Sequence, residues 1–112
     1  MEEKIMQEIL RQAPFGYAYH KLVYNAEGLP EDYIFLDVNP AFEEMTGLKR
    51  ETTLGKRVTD ILPGIRKSGF DWVDFYGKAV LWGERREFTQ YAEPLGRWYK
   101  VTSFSPQKEH FV

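Results

Sequence analysis

The stretch DVNPAFEEMTGL, Asp37 to Leu48, decides how this chain is built. It starts at the end of an extended run and carries three punctuation residues in order. Asn39 is a preferred N-cap, because its side-chain oxygen accepts from the free N–H groups of a helix's first turn. Pro40 suits the first helical position, where its missing N–H costs nothing, and its ring forbids another paired strand residue. Phe42 and Met45 can point back to the sheet while Glu43 and Glu44 face water. Gly47 fits the left-handed position that ends a helix, and Leu48 its apolar partner one residue on. The segment is a bend that delivers the chain from a sheet to a helical layer, and it carries no chemistry of its own.

Upstream, YIFLDV (33–38) alternates as a strand, with Ile34, Leu36 and Val38 on one face and Tyr33, Phe35 and Asp37 on the other. GYAYHKLVY (16–24) is rich in aromatic and β-branched residues, and the turn cluster NAEGLPED joins the two runs as an antiparallel hairpin. Ile5, Met6, Ile9 and Leu10 form one apolar stripe on a helix over 2–12, which Pro14 ends. A helix this short is marginal alone in water, so its stripe needs a partner.

Downstream, 40–67 divides into short helices punctuated by Gly47, Gly55, Pro63 and Gly64. A longer helix follows at about 69–82, opened by the capping spacing Ser68-x-x-Asp71 and stopped by Gly83. ERREFTQYAE and GRWYKVTSFS alternate as strands around the turn EPLG, and KEHFV begins a fifth strand. Hairpins flanking a run of helices give an α+β fold, with helices on one face of an antiparallel sheet. The expected organisation is an N-terminal amphipathic helix over 1–13 and one domain over 14–112.

With 112 residues there is room for one core. A net charge of −2 gives no electrostatic case for nucleic acid or an anionic membrane. No apolar run approaches the ~20 residues that span a bilayer, and the acidic N-terminus is unlike a signal peptide. The expected location is cytoplasmic. The absence of cysteine excludes disulfides, thiolate metal sites and cysteine nucleophiles. There is no phosphate loop, no metal-binding His-x-x-x-His and no serine nucleophile elbow, so the chain is expected not to be an enzyme.

The run IFLDVNPAFEEMTGLKRETTLGKRVTDILP resembles the N-terminal half of PAS domains. The resemblance is carried by Asn39-Pro40-Ala41-Phe42, Thr46-Gly47-Leu48, Arg50-Glu51-Thr52-Thr53-Leu54-Gly55 and Asp60-Ile61-Leu62-Pro63. In kind it extends through the long helix and the RWYKV strand, covering roughly 14–112. It implies a five-stranded antiparallel sheet with helices over one face, the last strand cut short at Val112. It also implies a sensory or dimerisation module that regulates a downstream effector, such as a kinase or a cyclic-dinucleotide enzyme.

The family's cofactors can be set against these residues. An adduct-forming flavin needs a cysteine on the helix after the opening bend, which is excluded here. Haem-binding relatives use a histidine on the long helix; this chain's two histidines, His20 and His110, lie elsewhere, and haem is disfavoured. No metal site is expected. A non-covalent flavin or a small metabolite stays open as a ligand, with Ile34, Leu36, Tyr76, Val80, Tyr99 and Val101 as candidate walls. The competing reading is that these side chains simply fill the core. Arg57, Arg86, Gln90 and Ser103 are candidate polar contacts. His20 reads as a partly exposed strand residue that could pair with Asp37, and Asp71 and Asp74 as surface carboxylates.

For interfaces, Phe35, Trp98 and Phe104 would line up on the sheet's outer face, an aromatic patch of the kind that marks a contact surface. The stripe of Ile5, Met6, Ile9 and Leu10 either covers that patch or pairs with its copy in a homodimer. Two functions follow: a sensory domain that binds a small ligand, or a ligand-free scaffold that brings effector domains together.

Overall fold

The fold was analysed in a computed structural model, which describes residues 2–67, 70–82, 85–106 and 108–112. Helix α1 (Glu2–Gln12) precedes the hairpin of β1 (Ala18–Tyr24) and β2 (Pro30–Val38). Three short helices follow, α2 (Pro40–Thr46), α3 (Arg50–Thr53) and α4 (Val58–Ile61), then the longer α5 (Trp72–Trp82). Strands β3 (Arg86–Ala92) and β4 (Arg97–Ser103) flank a single 3-10 turn, and β5 is His110–Phe111.

The opening bend folds as its residues dictate. Asn39 Oδ1 accepts from Phe42 N at 3.0 Å, Pro40 opens α2, and Gly47 closes it at φ 78° with its N–H on Glu43 O. On α5, Asp71 itself is the cap: its carboxylate accepts from Asp74 N at 3.1 Å. The other half of the expected capping pair, Ser68, and the stop at Gly83 lie outside the described residues.

All five strands pair antiparallel, but the expected single sheet is divided. One sheet has the order β2-β1-β5 and the other is the β3-β4 hairpin. The reason is the length of β5, whose two residues pair, among the described residues, with His20 and Lys21 of β1. Its link to the second sheet is the reciprocal bonding of Phe104 and Val112, at 2.9 and 3.4 Å.

Helices α4 and α5 cover the inner face of β2, and α1 meets the body mainly at α2. The core joins Leu22, Tyr33, Phe35 and Val38 of the hairpin to Val58 of α4, Val73 and Tyr76 of α5 and Phe111 of β5. Gly77 is the point of closest approach, since a Cβ there would lie 2.3 Å from Pro30 Cγ. Among the described residues no helix is long and apolar enough to cross a membrane.

Candidate functional site

A β-bulge decides which face of β2 sees the helices. Tyr19 pairs with Asp37 but His20 pairs with Phe35, so Leu36 is the extra residue and alternation shifts by one there. Tyr33 and Phe35 therefore point inward before the bulge and Val38 after it, at 5%, 3% and 4% exposure. This corrects the expected faces. Leu36 is 41% exposed and forms no part of an inner wall, while Phe35 is core and not part of an outer patch. Ile34 is half-buried and bridges to Arg57, where the 55–57 loop covers the edge of β2.

Between this inner face, the ends of α2 and α4, the start of α5 and the β4 strand lies a cavity of about 840 Å³. Tyr76, Tyr99 and Val101 line it, whereas Ile34, Leu36 and Val80 do not. Val80 packs against the core instead. The reading unaided by structure also missed the walls given by Tyr17, Phe42, Leu48, Leu62 and Trp72. These come from four separate segments, and no local pattern in the sequence ties them together.

His20 is the main surprise of the lining. It is 7% exposed, not a partly exposed strand residue, because β5 and α5 close over it. Its ring stacks on Phe111 at 4.3 Å and meets Phe35 and Tyr33 edgewise at 4.8 and 4.9 Å. Tyr76 stacks in turn on Phe111 at 4.4 Å. Burial holds the imidazole down to about 3, with a backbone hydrogen bond to Phe111 acting the other way, so it is neutral at ordinary pH. Burial pushes the Tyr33 and Tyr76 hydroxyls up, so they too stay neutral. Nδ1 of His20 and Nε1 of Trp72 are buried on this lining without a hydrogen-bond partner among the described residues.

The expected pairing of His20 with Asp37 does not form. Asp37 faces Tyr19 across the hairpin and binds Arg50 at 3.0 Å. Asp71 and Asp74 are engaged by Arg66 and Lys78, each at 3.0 Å. Of the candidate polar contacts, Arg57 serves Glu31 at 3.8 Å, and Ser103 is buried at the end of β4 without lining the cavity.

One side of the cavity is tied shut. Tyr99 Oη and an Arg97 guanidinium N–H both donate to Met45 O, in the last turn of α2, at 2.9 and 2.6 Å. Asn39 ties a second corner. Its Nδ2 donates to Leu10 O and Phe15 O at 2.7 and 2.9 Å, and its Oδ1 accepts from Tyr17 N at 2.8 Å as well as capping α2.

The expected interface residues separate. Trp98 is 69% exposed on the outer face of β4, edge-to-face with Tyr91 at 5.5 Å, and Phe104 sits at the cavity rim. Helix α1 does not cover them: Ile5, Met6 and Ile9 stay 55–57% exposed, and only Leu10 is half-buried.

A sequence model of the PAS domain matches residues 4–80. No curated protein matches the chain in sequence. Among solved structures, a domain of the sensory box sensor histidine kinase/response regulator from Geobacter sulfurreducens is similar in fold. Its TM-score is 0.56 at 20% identity, over 98% of this chain and 89% of that one.

Proposed function

The chain belongs to the PAS domain family, and on that premise we propose that it is a non-catalytic, cytoplasmic sensory domain that binds a small uncharged ligand and regulates a signalling effector in its parent protein. The observation that carries this reading is the cavity of about 840 Å³. The space opens to solvent on one side and is walled by the rings of the core on the other, a shape that admits a small molecule. A volume of this size falls within the range of small-molecule sites.

The mechanism is a shift of population between two packings of β4 against α2. The shared acceptor Met45 O is the contact that a ligand beneath it would strain or relieve. The test begins with denaturing mass spectrometry of the purified protein for a co-purifying molecule, followed by thermal shift against a metabolite panel that includes free flavins. Val101 lines the cavity and is half-buried, so Val101→Phe fills space there. It should keep the fold and abolish any ligand-induced rise in melting temperature. No co-purifying molecule and no stabilisation across the panel would favour the ligand-free scaffold.

A second role, homodimerisation, is favoured by the uncovered face of Ile5, Met6 and Ile9 on α1. Exposed apolar stripes of this kind are ordinarily covered. Sedimentation of the Ile5→Lys/Ile9→Lys double variant should report a monomer; an unchanged mass would remove α1 from the seam.

A further inference from the structure

We propose that the cavity's ligand is a small, planar, uncharged aromatic molecule that hydrogen-bonds Nδ1 of His20 and accepts a hydrogen bond from Nε1 of Trp72. This rests on the reading of the cavity as a ligand site and gives that ligand a chemical class.

The first observation is the pair of unmet polar atoms. Both belong to residues at most 7% exposed, and both residues line the cavity. A buried donor or acceptor with no partner loses its hydration for nothing in return. A ligand that meets both atoms recovers that loss, and one without polar groups does not. Chemistry fixes one of the two roles. An indole N–H can only donate. Nδ1 of the neutral His20 ring donates or accepts according to which nitrogen holds the proton. The ligand must therefore offer an acceptor to Trp72 and a hydrogen-bonding group to His20, and a lactam carries both a donor and an acceptor.

The second observation is the surrounding surface. Tyr76 neighbours both rings, 6.3 Å from that of His20 and 6.1 Å from that of Trp72 by centroid. Tyr33 and Phe35 extend the ring surface on the β2 side. Aromatic walls reward flat partners by offset and edge-to-face contact. Charge is absent from the deep lining. Its two cationic residues, Arg85 and Lys100, are exposed, and Arg85 is already held by Glu87 at 3.1 Å. An ionised group at the His20 end would be stripped of water with no counter-charge.

Isothermal titration of the full chain with four probes tests this. Carbostyril is a flat bicycle with an N–H beside a C=O; quinoline keeps the rings and one acceptor; naphthalene keeps only the rings; laurate is a flexible anion. Carbostyril should bind about five- to tenfold more tightly than quinoline or naphthalene. The ratio should collapse towards one in His20→Phe, which retains a ring in the stack. Nitrogen NMR of the unaltered protein gives a readout that needs no variant to fold: the Nδ1 resonance of His20 should move when carbostyril is added and stay put with naphthalene. Equal binding of the three bicycles, a preference for laurate, or a silent Nδ1 resonance overturns the inference and leaves the cavity a ligand site. No binding by any probe also overturns it, and the ligand reading falls too if the metabolite panel gives no stabilisation.

Discussion

Replacing Asn39 by Asp separates what this residue does as a cap from what it does as a tie. As N-caps, Asp and Asn are equivalent, so a residue that only capped α2 would tolerate the exchange. Asn39, however, is 3% exposed and uses both ends of its amide. The acceptor end binds Tyr17 N and Phe42 N at 2.8 and 3.0 Å, and the exchange keeps these bonds. The donor end faces Leu10 O and Phe15 O at 2.7 and 2.9 Å, and there a carboxylate oxygen would oppose two carbonyls. Losing two hydrogen bonds costs roughly 1–3 kcal/mol, and a desolvated carboxylate facing acceptors adds several more before relaxation. Asn39→Asp should therefore lose about 3–5 kcal/mol at neutral pH, no less than the ~2–4 kcal/mol of Asn39→Ala. Urea unfolding followed by tryptophan fluorescence measures both. The pH dependence adds a signature. Facing two acceptors, the introduced carboxyl is held above its unfolded value in the folded state. Its protonated form is then the better tolerated one, and stability should recover as pH falls through the folded pKa. Native-like stability of Asn39→Asp at neutral pH would refute the reasoning and reduce Asn39 to a cap.

Other outcomes follow from the same contacts. Gly77→Ala gains about 1 kcal/mol of helix propensity but sets a Cβ 2.3 Å from Pro30 Cγ and 2.7 Å from Pro30 Cβ. Overpacking against that rigid ring should win by about 1–2 kcal/mol and lower the melting temperature by roughly 5 °C in calorimetry; an unchanged or higher value would mean that α5 is not seated on β2. His20 is held at about 3 by burial, among the rings of Tyr33, Phe35, Tyr76 and Phe111. The unfolded chain therefore binds a proton near pH ~6.5 that the folded chain refuses, and stability should fall by about 1.4 kcal/mol per pH unit from there down towards the folded value. His20→Phe should flatten that slope in denaturation series at several pH values, and an unaltered slope would assign it to other groups. The bulge is tested by neighbours: Leu36→Ser should cost under ~1 kcal/mol and Phe35→Ala ~3–5 kcal/mol, whereas strict alternation requires the reverse.

The parts legible in the sequence share a physical basis. Asn39, Pro40, Phe42 and Gly47 were readable because capping is settled within a few residues, and the structure keeps that local order. Helix α1 spans Glu2–Gln12 where its apolar period and Pro14 put it. The turn at Gly55 closes by its own N–H bonding back to Phe35 O at 2.9 Å, a long-range contact that its glycine alone did not announce. Illegible features were those set by a partner strand or helix. Leu36 reads as an inner residue until β1 is laid beside it and the register slips. The division of the sheet depended on how few residues β5 could offer to two neighbours.

The sequence by itself determined the elements, their caps and their order, because hydrophobic period and turn chemistry act over a few residues along the chain. Only the tertiary structure decided which face of β2 is inside, that His20 lies under Phe111 and Tyr76, and that a cavity remains beside it. Those outcomes depend on the register between strands distant in sequence and on how densely separate segments can pack, and no single segment encodes either.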